Sequence, residues 1–196
     1  LCVTNSGLIG EEFMNYYIDI TVKPDSEMRE NLLMNKVYTK LHLALSSLKS
    51  MDIGVSFPNC RVIVGSVLRI HASAERLDEL QSKSWLGGLI GYCNVTKILP
   101  VPDSARYRIC SRKQTNMSKA KLNRLLKRGS IQQDQVKAYV AKMFQQGISN
   151  PYLELESASN GHKHRRYIAL GTIIDSPTSG TFDQFGLSKD ASIPWF

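Results

Sequence analysis

No apolar run in this chain of 196 residues approaches the roughly 20 residues that a membrane-spanning helix needs, so no membrane partner is expected. The first thirteen residues, LCVTNSGLIGEEF, lack the basic start and long apolar centre of a secretory signal. Residues 1–13 read instead as an N-terminal extension ahead of a strand-like segment. The four cysteines, Cys2, Cys60, Cys93 and Cys110, form no CxxC pair and have no metal-ligand cluster beside them. Reduced thiols in a cytoplasmic protein, with no metal and no cofactor, are the simplest expectation. There is no internal repeat and no low-complexity segment, which argues against solenoids and fibres. The most informative absence is of acid. Residues 104–133 hold nine of the 25 Lys and Arg and not one Asp or Glu, while the other 16 cations face 17 acids elsewhere. The whole excess of positive charge therefore sits in one thirty-residue block, a distribution suited to a polyanion partner.

What remains is an ordinary globular composition, 42% hydrophobic and 21% charged, enough to bury a core. YYIDITV (16–22) alternates as a half-buried strand does, and Pro24 and Asp25 break it. A helix is predicted from Ser26 and Glu27 to about Ser50. IGVSFP (53–58) and RVIVGSVLRIHAS (61–73) read as a hairpin turning near Gly65 and Ser66. Ser73 can cap a helix over AERLDELQSK, and YCNVTKILPV (92–101) reads as a fourth strand. Strand, helix, strand, strand, helix, strand is the ferredoxin-like order. The predicted fold class is α+β, with a ferredoxin-like (βαββαβ) domain over 14–101 and a C-terminal α+β domain over 102–196. In the second domain RYRICSRKQT (106–115) reads as a basic strand. SKAKLNRLLKR (118–128) reads as a short helix stopped by Gly129, and QQDQVKAYVAKMFQQ as another helix. YLELES, RRYIALGTII and TFDQFGL read as strands.

On the helix at 118–128, Lys121, Arg124 and Arg128 recur at steps of three and four, with Lys119 and Lys127 nearby and leucines on the other side. Such a helix can dock through its apolar face while offering cations to phosphates. A solvated surface helix would normally intersperse acids. Two helices around GSI also admit a helix-turn-helix DNA reader, a weaker reading because the basic strand and the βαββαβ half are not its usual companions. HKHRRY (162–167) suggests phosphate contact or base stacking rather than zinc, since no third ligand stands at useful spacing. His71, in LRIHAS, reads as a packed or edge histidine. His42, in YTKLHLALSSL (38–48), borders the stripe Val37, Leu41, Ala44, Leu45 and Leu48. Taken alone it is either a neutral packing residue or a base.

The ordered set Tyr17-Ile18-Asp19-Ile20, Lys40-Leu41-His42, Ile53-Gly54-Val55-Ser56-Phe57-Pro58 and Leu68-Arg69-Ile70-His71-Ala72-Ser73-Ala74 continues through the chain. It runs on through Tyr107-Arg108, Ser111-Arg112, Gln114 and Ser157-Ala158-Ser159. It closes on Phe185-Gly186-Leu187-Ser188-Lys189 and Pro194-Trp195-Phe196. Over residues 14–196 this set resembles the CRISPR repeat-processing endoribonucleases of type I-F systems, the Csy-type branch of the Cas6 superfamily.

That resemblance implies a protein that binds a CRISPR repeat hairpin and cuts at the 3′ base of its stem. The ribose 2′-oxygen would attack the adjacent phosphate without a metal, giving a cyclic phosphate and a 5′-hydroxyl. His42 matches the catalytic histidine and Ser157 the serine that holds the attacking ribose. Arg112 and Gln114 match base-reading side chains near the foot of the stem. The helix with Lys119, Lys121, Arg124, Lys127 and Arg128 matches an arginine-rich groove helix. Ser159 and Arg165 are assigned with the RNA-binding set, and His164 falls where the family places an aromatic under the terminal base pair. Members carry tyrosine where this chain has Phe185, so Phe185 is expected to pack on the imidazole without lending a hydroxyl. The implied partners are the repeat hairpin, the mature crRNA and other Cas subunits of a surveillance complex. A non-catalytic hairpin-binding subunit on the same scaffold is the alternative.

Overall fold

The computed structural model describes residues 14–114, 117–145, 148–156 and 161–196. Its first half runs β1 (Tyr16–Val22), α1 (Glu30–Leu48), β2 (Gly54–Ser56), β3 (Val67–Ala72), α2 (Ala74–Ser82) and β4 (Cys93–Val95). The strands are antiparallel in the order β2-β3-β1-β4. Alternation along β1 turns Ile18, Ile20 and Val22 to one face, where Ile18 and Ile20 lie opposite Ile70 and Leu68 of β3. Leu33, Val37, Leu41 and Leu45 of α1 join them in the core with Leu77 and Leu80 of α2. Each side chain buried this completely contributes about 1.5–3 kcal/mol against the cost of chain ordering.

α2 begins as expected, with Ser73 Oγ accepting from the Arg76 amide at 3.4 Å. α1 ends on Lys49 in the left-handed region, φ 50°. No helix among the described residues is long and apolar enough to cross a membrane.

The second half contains β5 (Leu99–Pro100), β6 (Arg106–Arg108), β7 (Cys110–Lys113), α3 (Lys119–Lys127), α4 (Val136–Gln145), β8 (Tyr152–Glu156), β9 (Lys163–Leu170) and β10 (Ile193–Trp195). β7, β9 and β8 make a three-stranded antiparallel sheet with β9 in the middle. Asn35 Oδ1 accepts from the Glu154 amide at 3.0 Å, which ties β8 to α1. The α+β class is borne out.

Several element boundaries differ from expectation. Residues 61–66 are loop, not strand, and Val62 and Ile63 stand in solvent although they belong to a continuous apolar run. The expected strand 92–101 is split into β4 and β5, both on the same edge of β1. In the gap Thr96 serves Asp19 twice: its hydroxyl accepts from the Asp19 amide and its own amide donates to the Asp19 carbonyl. Residues 106–115 are likewise divided, because β6 pairs with β10 while β7 pairs with β9. The predicted strand TFDQFGL is a turn. The strand that the pattern missed is β10, whose Pro194 is tolerated because β10 pairs on one side alone.

The second face of the first sheet is covered by the chain's end. Arg69 forms a two-pronged ion pair with Asp19, and its guanidinium lies over the rings of Tyr17 and Phe196, which meet each other edge to face. His71 is fully buried on that face, with Nε2 2.8 Å from Ser56 Oγ. Burial, reinforced by the charge of Arg69, pushes its pKa down to about 3. The folded protein therefore keeps His71 neutral where the unfolded chain protonates it. The stability so gained is present above the unfolded pKa of about 6.5 and is lost as pH falls toward 3. Between pH 7.5 and 5.5 the wild type should lose about 1.4 kcal/mol more unfolding free energy than His71→Gln, read from urea midpoints.

Candidate active site

His42 stands half-buried on α1, one turn after Tyr38, and meets the turn formed by residues 183–187. Its Nδ1 lies 2.9 Å from the main-chain oxygen of Gln184. A carbonyl oxygen only accepts, so Nδ1 carries the proton and the neutral ring presents Nε2 as its free lone pair. The Ser46 hydroxyl, one turn further along α1, donates to Gln184 Oε1 at 3.2 Å. Phe185 lies flat on the imidazole, with centroids 3.6 Å apart and planes 7° from parallel.

The turn is built by its own first residue. Asp183 Oδ1 accepts from the amides of Phe185 (2.9 Å) and Leu187 (3.0 Å), and the Gly186 amide donates to the Asp183 carbonyl at 2.8 Å. This is the local side-chain capping that short acidic residues favour in turns. The Tyr38 hydroxyl pins the turn from beneath, donating to the Phe185 carbonyl at 2.8 Å. Burial holds that phenol well above its ordinary pKa, so it remains a donor. Gly186 has φ +70°, and a Cβ there would sit 2.7 Å from Val55 Cγ1. Two helical residues, Tyr38 and His42, therefore grip one turn from adjacent coils of α1.

Beside this turn, Arg112 and Gln114 face the same way from successive alternate positions at the end of β7. With the Gln114 amide turned so that its oxygen faces the guanidinium, Oε1 accepts from Arg112 Nη1 at 3.0 Å. Both side chains line an open groove with Asp183, Ser188 and Lys189, so the two predicted base readers border the turn that holds His42. His164 and Arg165 point to opposite faces of β9. His164 shares its face with Leu155, its partner across the sheet, and is itself exposed. Arg165 lies on the other face, over the Tyr152 ring and 3.8 Å from Glu154.

α3 spans Lys119–Lys127. Ser118 Oγ accepts from the Lys121 amide at 3.1 Å, and Gly129 follows its end with φ +70°. Leu122 is its buried residue, while Lys119, Lys121, Arg124, Lys127 and, just past the last turn, Arg128 are exposed. Cations near a helix C-terminus are also favoured by its dipole. Ser157 and Ser159 lie outside the described residues, immediately beyond the end of β8.

Residues 17–196 match the family described as CRISPR-associated protein (Cas_Csy4). The chain belongs to the Csy4 family. Among its relatives, a protein of Escherichia coli named "CRISPR-associated endonuclease Cas6/Csy4" is 35% identical over 184 residues, which cover 93% of this chain and 100% of that protein. A Pseudomonas aeruginosa protein of the same name is 34% identical over 187 residues, with the same coverage of each chain. The resemblance read from the sequence is thereby borne out.

In this Csy4 member, sequence reasoning missed Asp183, Gln184 and Tyr38 as supports of His42. Asp and Gly three apart in FDQFG were the available signal, a turn pattern inside what read as a strand. The main-chain oxygen of Gln184 leaves no mark in the sequence at all.

The role of the turn is testable with two glycines that share a φ of +70°. Nothing lies within 4 Å of a Cβ at Gly129, whereas Gly186 faces Val55. Both alanine variants carry the left-handed backbone penalty of about 1–2 kcal/mol. Gly186→Ala should lose a further ~1–3 kcal/mol from overlap. Equal losses in denaturant midpoints would mean that the turn shifts freely away from Val55.

Proposed function

We propose that this protein is a CRISPR RNA-processing endoribonuclease that binds the hairpin of a repeat transcript and cleaves at the 3′ base of the stem. In this reading the N-terminal half is a ferredoxin-like scaffold, a reading supported by its βαββαβ order and the strand sequence β2-β3-β1-β4. The observation that carries the chemistry is the hydrogen bond from His42 Nδ1 to the Gln184 carbonyl. It leaves Nε2 unprotonated in the neutral ring, the state a general base requires.

Nε2 takes the proton from a ribose 2′-hydroxyl, and the 2′-oxygen attacks the adjacent phosphorus. The bond to the 5′-oxygen of the next nucleotide breaks, and that oxygen leaves with a proton as a 5′-hydroxyl. A 2′,3′-cyclic phosphate remains on the upstream product. The reaction as written needs no metal. Ser157, which follows Glu156 in the sequence, holds the attacking ribose. A base fixed on a helix and a sugar fixed by a serine supply the alignment on which intramolecular attack depends.

Arg112 and Gln114 read base edges at the foot of the stem, His164 stacks under the terminal pair, and Ser159 and Arg165 contact the RNA nearby. The cations of α3 follow the phosphates of the stem. The mature crRNA stays bound, and the complex joins other Cas subunits of a type I-F assembly.

Chemistry and binding should separate. His42→Ala is expected to abolish cleavage of labelled repeat RNA while hairpin affinity stays near wild type. A single 2′-deoxy nucleotide upstream of the cut should do the same from the RNA side. Normal cleavage of the deoxy substrate would mean that water attacks and that His42 is a packing residue. Cleavage should also proceed in EDTA. Tight binding without cleavage by the wild type would make the protein a hairpin-binding subunit.

The α3 cations should set affinity rather than rate. Replacing Lys121, Arg124 and Arg128 together with alanine should weaken binding strongly. It should also flatten the slope of log affinity against log salt by roughly 0.7–0.9 for each phosphate left without its cation. An unchanged slope would place the RNA elsewhere on the protein.

A further inference from the structure

Arg166 is the fourth of the eight residues of β9 and sits on its inward face, opposite Leu153 of β8. It is 5% exposed, whereas its sequence neighbour Arg165 stands in solvent. Its Cζ lies 3.3 Å from the centroid of Phe185, while the His42 ring lies 3.6 Å from the same centroid. Two groups that close to one centroid cannot occupy the same face. Phe185 is therefore held between an imidazole and a guanidinium, and the three groups form one stack.

A buried guanidinium needs compensation, and this one has little. Its ion pair with Asp183 is long, 3.8 Å, and its Nε is buried with no hydrogen-bond partner among the described residues. The face of the Phe185 ring supplies the closest favourable contact, through its quadrupole. An apolar side chain would fill the same space without leaving Nε unsatisfied. What the arginine adds is a flat cation that presses on the ring from the far side, linked to the carboxylate that shapes the turn.

We propose that Arg166 is a positioning residue for His42: by clamping Phe185 from its far face, it fixes the plane on which the imidazole stacks and hence the aim of Nε2. The proposal rests on His42 acting as the base.

Arg166→Met tests it by removing charge and plane while keeping an unbranched apolar side chain. Single-turnover cleavage at saturating protein should slow by about 10–100-fold while the hairpin Kd stays within about threefold, because misaim affects the reacting step more than binding. In the free protein, the Hε1 resonance of His42, shielded by the stacked Phe185 ring, should move downfield in the variant. Arg166→Lys keeps the charge but not the plane and should recover only part of the rate. In a Phe185→Leu background Arg166→Met should cost little more, since the two residues act in series.

Unchanged rate and unchanged His42 resonance in Arg166→Met would overturn the proposal. Full additivity with Phe185→Leu would do so as well, by showing that Arg166 acts along another route. Should Arg166→Met fail to fold, the wild type decides: NOEs from Arg166 to the Phe185 ring, together with a shielded His42 Hε1, support the clamp, and absence of either rejects it. If the wild type cuts no RNA, the proposed function fails, yet the resonance of His42 still reports whether the clamp exists.

Discussion

The hydrogen bond between His42 Nδ1 and the Gln184 carbonyl is the constraint on which the candidate site depends. It selects one tautomer, orients the ring and joins residues 142 positions apart in sequence. For that carbonyl to be in place, the 183–187 turn must hold a single shape. Asp183 enforces the shape from within, Tyr38 from below, and Gly186 by having no side chain to meet Val55. Because Tyr38 and His42 lie one turn apart on α1, rotation of the helix about its axis would break both contacts together. The helix cannot turn, because the adjoining stripe of Leu33, Val37, Leu41 and Leu45 is fixed in the core. Core packing and the aim of the imidazole are thus one mechanical problem.

Charge is divided between two kinds of place. The α3 cations stand in solvent, where desolvation costs little and a polyanion can reach them. Arg69 and Arg166 are mostly hidden, and each is covered by aromatic rings. Arg69 is fully paired with Asp19, lies over Tyr17 and Phe196, and serves the sheet. Arg166 is loosely paired and lies against Phe185, on the far side of that ring from the imidazole. The same side-chain type thus carries phosphate attraction, sheet covering and ring alignment according to its burial and partner.

The two sheets contribute differently to the site. The βαββαβ half supplies the rigid helix, and the three-stranded sheet supplies side chains that approach the same turn from the other direction. β9 separates them by simple alternation: Arg166 goes inward and Arg165 outward, although the two are adjacent in sequence. A one-residue slip of β9 against β8 would exchange them and leave the Phe185 ring without its second neighbour.

The α+β class, both long helical segments of the first half, the caps Ser73 and Ser118 and the basic helix were legible in the sequence by itself. Those features depend on interactions within a few residues, namely period, capping chemistry and local charge. His42, Arg112 and Gln114 were singled out through family resemblance, which ties residue types to an order along the chain. The tertiary structure decided the rest. Residues 61–66 carry the apolar run Val62-Ile63-Val64, but no strand among the described residues pairs with them, and strand formation requires a partner. TFDQFGL has the phenylalanines and threonine that strands favour, yet the Asp183 carboxylate and the positive φ of Gly186 take the backbone elsewhere. The tautomer of His42 and the sandwich around Phe185 came from contacts between α1, the turn and β9. No local pattern encodes them, because each contact joins groups that only the folded chain brings within hydrogen-bonding or stacking distance.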